Sequence, residues 1–379
     1  MKLLVVSHPC ATAANQSLFE ELGRTWDLTL VVPAHWKDEF GNTLDEAPRS
    51  GLAGRVNKIP VWGSGRIILH AYRTNWSRLL REGGFDAIYM HHEPYALATG
   101  QVFLANRRLP RPAVFGYYSA QNIFKNYPLP FSWIERQVHR SSRFGFPVSS
   151  DVADVLRAKQ TQADLTLCPL PVDLSLYFPG PASAKRSEAG VGETGFLLGY
   201  VGRIVEAKGL RTLAAALGRI RDLDWKFLVI GTGEFQGTFV ELLSAVGVRD
   251  RVRFAGYVPH METPEWLRAM DALVVPSETQ PNWKEQFGRV VVEAMACGTA
   301  VVGSDSGEIP HLLRASGGGL VFRERDPANL AAALRELVVS SVRRNELAFA
   351  GSAWVAANLS QDAIARRMSV AIARAAGSC

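Results

Sequence analysis

Short apolar runs alternate with longer segments of helical period along the whole chain, the pattern of a parallel sheet covered by helices. In the first half, runs at 2–7, 28–32, 87–91, 113–117 and 165–167 predict strands, with helices over 67–81, 100–107 and 131–140. The second half restarts the alternation. Strands are predicted at 196–201, 226–230, 252–254, 272–275, 300–303 and 319–321, and helices at 210–220, 235–246, 289–296, 330–339 and 361–376. Between the halves, Cys168-Pro169-Leu170-Pro171-Val172-Asp173 and Tyr177-Phe178-Pro179-Gly180-Pro181 read as an inter-domain linker. The expectation is an α/β chain of two doubly wound, Rossmann-like domains, 1–178 and 179–355, followed by a C-terminal helix in 356–379. Ligands of such folds sit beyond the carboxyl ends of the strands.

Composition narrows the class. The 379 residues are 47% apolar and 21% charged, a globular balance that excludes a disordered chain and allows two cores. No run approaches the roughly 20 apolar residues of a membrane span. The apolar start Leu3-Leu4-Val5-Val6 is too short for a signal peptide and reads as a buried strand, so a cytoplasmic protein is expected. Cys10, Cys168, Cys297 and Cys379 have no spacing that suggests a disulfide framework or a zinc site. A net charge of +6 permits an anionic ligand without requiring one. No nucleic-acid partner is expected, since only the basic pI of 9.2 points that way.

Chemistry concentrates in two segments. One runs strand, polar loop, glycine, helix: Pro276-Ser277-Glu278, then Glu285-Gln286-Phe287-Gly288-Arg289-Val290, then Glu293-Ala294-Met295-Ala296-Cys297-Gly298. Glu285 and Glu293 lie too far around a continuous helix to point one way. Glu285 therefore belongs to the loop and Glu293 to the helix that begins near Gly288. Backbone N–H groups from Phe287 to Val290 would face an anion there, with a carboxylate on either side for a vicinal diol. A phosphate between two polyols describes a nucleotide-sugar. A solvated loop glutamate and a capping glutamate would leave the same spacing. The other segment, Gly202-Arg203 followed by Lys208-Gly209, sets two cations after a strand, suited to a diphosphate or merely solvated.

In this order the two segments resemble the retaining glycosyltransferases of family 4, of GT-B fold. The likeness takes in His92-Glu93-Pro94, Pro171-Val172-Asp173 and Phe178-Pro179, and so nearly the whole chain. It implies two domains facing each other across a cleft, the first on the acceptor side and the second binding the donor, with the last helix crossing back to the first. Arg203 and Lys208 would hold the donor diphosphate. Glu285 would meet the transferred sugar, Glu293 the ribose, and the main chain around Gln286, Phe287, Gly288, Arg289 and Val290 the sugar and phosphate. Gly202, the turn at Gly233 and the segment around Val258 would complete the donor site. His92 would lie near the reacting carbon, so that His92, Arg203, Lys208 and Glu285 form the catalytic set. No metal and no cofactor is implied. The donor would be a UDP- or GDP-type sugar, and the acceptor a growing saccharide or a lipid-linked one of the cell surface.

One departure is the turn after the first strand, Ser7-His8-Pro9-Cys10-Ala11-Thr12-Ala13, which lacks the glycines many members carry. Acceptor-side assignments to His8, Glu93, Gln121 and Asn122 rest on less for that reason. The adjacent His91-His92 cannot both face one site, which argues against a metal there. Asp222-Leu223-Asp224 resembles a metal-binding Asp-x-Asp but lies in a turn. Two helices are predicted to be basic and amphipathic, one with Ile68, Leu69, Tyr72, Trp76, Leu79 and Leu80 against Arg66, Arg73 and Arg81. The other pairs Ile134 and Val138 with Arg136, Arg140 and Arg143. They serve either peripheral membrane contact or packing against the sheet. A sugar-nucleotide epimerase of the same fold and a silent sugar-nucleotide sensor are the alternatives to transfer.

Overall fold

The computed structural model describes residues 1–37, 41–192 and 194–377, so Cys379 lies outside it. The chain forms two compact units, one made of Met1–Pro171 with the segment from Gln361 onward, the other of Val172–Ser360.

The first unit is built on seven parallel strands: β1 (Lys2–Val6), β2 (Asp27–Pro33), β3 (Val56–Ile59), β4 (Ala87–Met90), β5 (Val114–Ser119), β6 (Phe144–Pro147) and β7 (Asp164–Leu165). Their order is β7-β6-β5-β4-β1-β2-β3. β1 is central and buried from Leu3 to Val6, paired to β2 through Leu3↔Leu28 and to β4 through Leu3↔Ala87. The order of strands reverses between β1 and β4, so the loops after these two strands splay apart and leave a crevice. The helix Gln361–Gly377 packs on Ser17–Leu22 of this unit. Gln361 Nε2 donates to Ser17 Oγ at 2.7 Å, and Trp26 Nε1 donates to Ser369 Oγ at 2.8 Å.

The second unit holds six parallel strands: β8 (Leu197–Val201), β9 (Lys226–Ile230), β10 (Val252–Gly256), β11 (Ala272–Val275), β12 (Ala300–Ser304) and β13 (Gly319–Phe322). Their order is β10-β9-β8-β11-β12-β13, and the reversal falls between β8 and β11, paired through Leu198↔Ala272. Trp225, Phe227, Phe239 and Leu213 fill the core beneath. Among the described residues no helix is long and apolar enough to cross a membrane.

Two predicted elements differ. The helix expected over 67–81 forms only as Trp76–Gly83, after Asn75, whose side chain caps it by accepting from the N–H of Arg78. Residues Ala71–Tyr72 instead pair antiparallel with Val61–Trp62, and Ile67, Ile68 and Leu69 stay exposed beside a hollow of about 510 Å³ with Tyr127, Pro128 and Phe131. The first basic amphipathic helix therefore does not exist as drawn. The second, Phe131–Ser141, forms and buries Ile134 and Val138 within the unit, leaving Arg136 and Arg140 exposed.

Candidate active site

In the second unit the loops after β8 and β11 meet at the reversal point. Lys208 Nζ lies 2.6 Å from Glu285 Oε2, both side chains being mostly buried. Ser277 Oγ donates to the same oxygen at 3.0 Å, and the ammonium sits 4.8 Å from the Trp283 ring centroid. The site residues stand where a charge is strengthened by partial exclusion of water.

Backbone geometry holds these loops together. Gly209 has φ +69°, and a Cβ there would fall 1.8 Å from the Pro276 carbonyl oxygen. Gly307, at φ +55°, would place a Cβ 1.9 Å from the oxygen of Glu285. Both close approaches need glycine. Arg203 is exposed, its carbonyl accepting from Tyr200 Oη at 2.6 Å. The flanking N–H groups of Gly202 and Ile204 donate to Ile230 and Thr232 of the next strand and its loop. Gly233 packs on the Ile204 backbone, and Val258 lies half-buried after β10.

Gly288 precedes the helix Arg289–Ala296, with Phe287 buried and Gln286 and Arg289 exposed. Glu285 lies in the loop before it and Glu293 within it. Glu293 is buried, and burial pushes its carboxyl from an ordinary 4.5 up to about 7, against the pull of Arg289 and of a bond from the Tyr177 hydroxyl. That hydroxyl also meets His260 Nδ1 at 3.1 Å. Ser277 and Trp283 lie in the segment from Pro276 to Gly298 and Tyr177 in the linker, but the sequence singled out none of the three as a site residue.

The raised value carries a stability consequence. Below pH 4.5 Glu293 is protonated folded or unfolded and costs nothing. Between 4.5 and about 7 the unfolded chain ionises while the folded one holds its proton, so stability falls as pH rises. The span corresponds to an order of 3 kcal/mol. Chemical denaturation of Glu293→Gln against the wild type should show a difference that moves in the variant's favour by about that much from pH 4.5 to 8. A pH-independent difference would contradict it.

In the first unit, His92 follows β4 and is buried, its Nδ1 3.0 Å from Nδ1 of His8, which follows β1. His91 turns the other way, to Ser7 Oγ at 3.0 Å and onto the Tyr89 ring. Glu93 accepts from Ser119 Oγ and the Ala120 N–H, each at 2.7 Å, and so clamps the loop after β5. Gln121 Nε2 donates to the Ile123 carbonyl at 2.8 Å, and Asn122 is buried. Asp222 is held by both terminal nitrogens of Arg335, at 2.7 and 2.8 Å, an arrangement that occupies it without a metal. Cys297 is buried at the end of its helix.

Residues 182–354 match the family described as Glycosyl transferases group 1, and residues 16–176 match Glycosyltransferase Family 4. The chain belongs to glycosyltransferase family 4. A family relative, D-inositol 3-phosphate glycosyltransferase 1 of Catenulispora acidiphila, is 34% identical over 46% of this chain and 44% of its own. The chain spans about half the length of such inositol-phosphate relatives. The 2-deoxystreptamine glucosyltransferase of Streptomyces kanamyceticus is 29% identical over 71% of this chain and 73% of its own. Among solved structures, Anabaena Alr3699/HepE in complex with UDP-glucose superposes with a TM-score of 0.69 at 18% identity, covering all of both chains. The fold is GT-B, two Rossmann-like α/β units with parallel sheets.

Proposed function

We propose that the chain is a retaining glycosyltransferase that moves a sugar from a nucleoside-diphosphate donor to a hydroxyl of a saccharide, lipid-linked or cyclic polyol acceptor. The observation that carries this reading is the Lys208–Glu285 pair at the reversal point of the second sheet, with Arg203 on the same loop as Lys208. Arg203 and Lys208 stabilise charge developing on the diphosphate, in place of a divalent ion, and Glu285 receives the transferred sugar. Glu293 accepts from the ribose, and His92 serves the transfer step. A structurally similar protein was solved with UDP-glucose, which supports a uridine donor; relatives named for D-inositol 3-phosphate and 2-deoxystreptamine extend the acceptor class to cyclitols.

Calorimetric titration with uridine, guanosine and adenosine diphosphates tests the donor half. One of them should saturate the protein with the same affinity in Mg²⁺ as in chelator. Binding only with Mg²⁺ would reassign the diphosphate to a metal, and binding of none would remove the donor reading. In the same assay His92→Ala should keep the nucleotide affinity while sugar transfer falls; loss of affinity would take His92 out of that role.

A further inference from the structure

The crevice of the first sheet gathers a group of side chains that donor binding does not use. His8 and His92 leave the carboxyl ends of β1 and β4, the two strands at which the order reverses, and His70 reaches them from the segment before Ala71–Tyr72. The ring centroids lie 4.8 Å (His8–His92), 5.0 Å (His70–His92) and 5.4 Å (His8–His70) apart. One ring nitrogen from each falls within 4.8 Å of the other two, and among the described residues no other three His, Cys, Asp or Glu side chains are so arranged. His70 is 0% and His92 2% exposed, while the partly exposed His8 opens towards solvent. Trp36 packs 4.9 Å from His8 and 5.0 Å from His70, and Tyr72 lies edge-on to both His70 and His92, giving an apolar collar.

We propose that His8, His70 and His92 together bind one divalent transition-metal ion, zinc foremost. Imidazole nitrogens suit zinc, and three of them with a fourth position left to water form a familiar open coordination set. His70 is already oriented for it. Its Nδ1 lies 2.9 Å from the Ile67 carbonyl, to which only a protonated nitrogen can donate, so the lone pair is on Nε2. That Nε2 is buried with no hydrogen-bond partner, and the Nδ1 atoms of His8 and His92 face each other at 3.0 Å. At zinc–nitrogen distances of about 2.0–2.1 Å, tetrahedral ligands stand about 3.4 Å apart. The His8 and His92 Nδ1 atoms need to part by about 0.4 Å, and a pair at the 4.8 Å limit to close by about 1.4 Å.

The inference goes beyond sugar transfer but shares His92 with it, so its test reads metal uptake and not turnover; the donor side chains belong to the second unit and take no part. Metal-stripped full-length protein should take up one equivalent of Zn²⁺, measured by competition with a chromogenic chelator. Co²⁺ should give the intense visible absorption of a four-coordinate ion. His70→Gln and His8→Ala should each weaken zinc binding by more than about 100-fold, with the circular dichroism of the wild type, whereas His35→Ala should leave it unchanged. The wild type alone can overturn the proposal, whatever the variants do, by taking up no stoichiometric Zn²⁺. Unchanged uptake in both His8→Ala and folded His70→Gln would overturn it equally.

Discussion

Lys208→Ala and Arg203→Ala will each lower turnover by a factor of about 10²–10³ while the protein stays folded. Breaking the bond between sugar and diphosphate leaves negative charge on the leaving group, and a fixed donor to such charge is worth about 2.7–4 kcal/mol at the transition state. Charge-assisted bonds are roughly twice as strong as neutral ones. The Lys208 side chain is positioned before any ligand arrives by Glu285 and the Trp283 ring, and the backbone that carries Arg203 is fixed by Tyr200 and β9. The two losses should still differ in kind. Removing Lys208 also strips Glu285 of its ion-pair partner, so its double variant with Glu285→Gln should be markedly non-additive, whereas Arg203→Ala with Glu285→Gln should be closer to additive. Single-turnover rates at saturating donor, with melting temperatures beside them, decide it. Rates within tenfold of the wild type for both single variants would mean that neither cation meets the leaving group.

Glu285→Gln will separate binding from catalysis. The carboxylate accepts from Lys208 and Ser277 through one oxygen, and in the proposed reaction it would compete with the diphosphate for the ammonium. Without its charge, Lys208 is released to an incoming phosphate, and free nucleotide should bind at least as tightly as in the wild type. Turnover should nonetheless fall by about 10² or more, because a contact made to the reacting sugar is realised in the transition state. A nucleotide affinity reduced tenfold, with turnover intact, would place Glu285 on the nucleotide and reverse the donor's orientation.

Both sheets were largely legible in the sequence because parallel strands buried on both faces read as unbroken apolar runs. Lys226–Ile230 and Ala272–Val275 form as expected to the residue. The strands not predicted lack that signature. Val56–Ile59 lies at an edge with Asn57 and Lys58 exposed, and Phe144–Pro147 carries a glycine and a proline. The helix Ser341–Asn358 was not predicted because its buried positions are few, Leu347, Gly351 and Val355. The positions of Glu285 before the helix and Glu293 inside it followed from their spacing. Partners did not: Ser277, Tyr177 and His70 are brought in by tertiary structure, and the helical spacing of Leu69, Tyr72 and Trp76 hid a segment that turns instead.

The connectivity of the first unit bears on how the chain is made. It leaves that unit at Pro171 and returns to it at Gln361, so the second unit is an uninterrupted insert, all of it synthesised before the segment that completes the first. The first cannot be finished then. Ser17, Trp26 and Asp164 wait for Gln361, Ser369 and Arg374. At translation speeds of 5–20 residues per second the delay is roughly 10–40 s. During that interval the surface of Ser17–Leu22 that receives the last helix is bare on a nascent chain, a window in which a chaperone can engage the first unit.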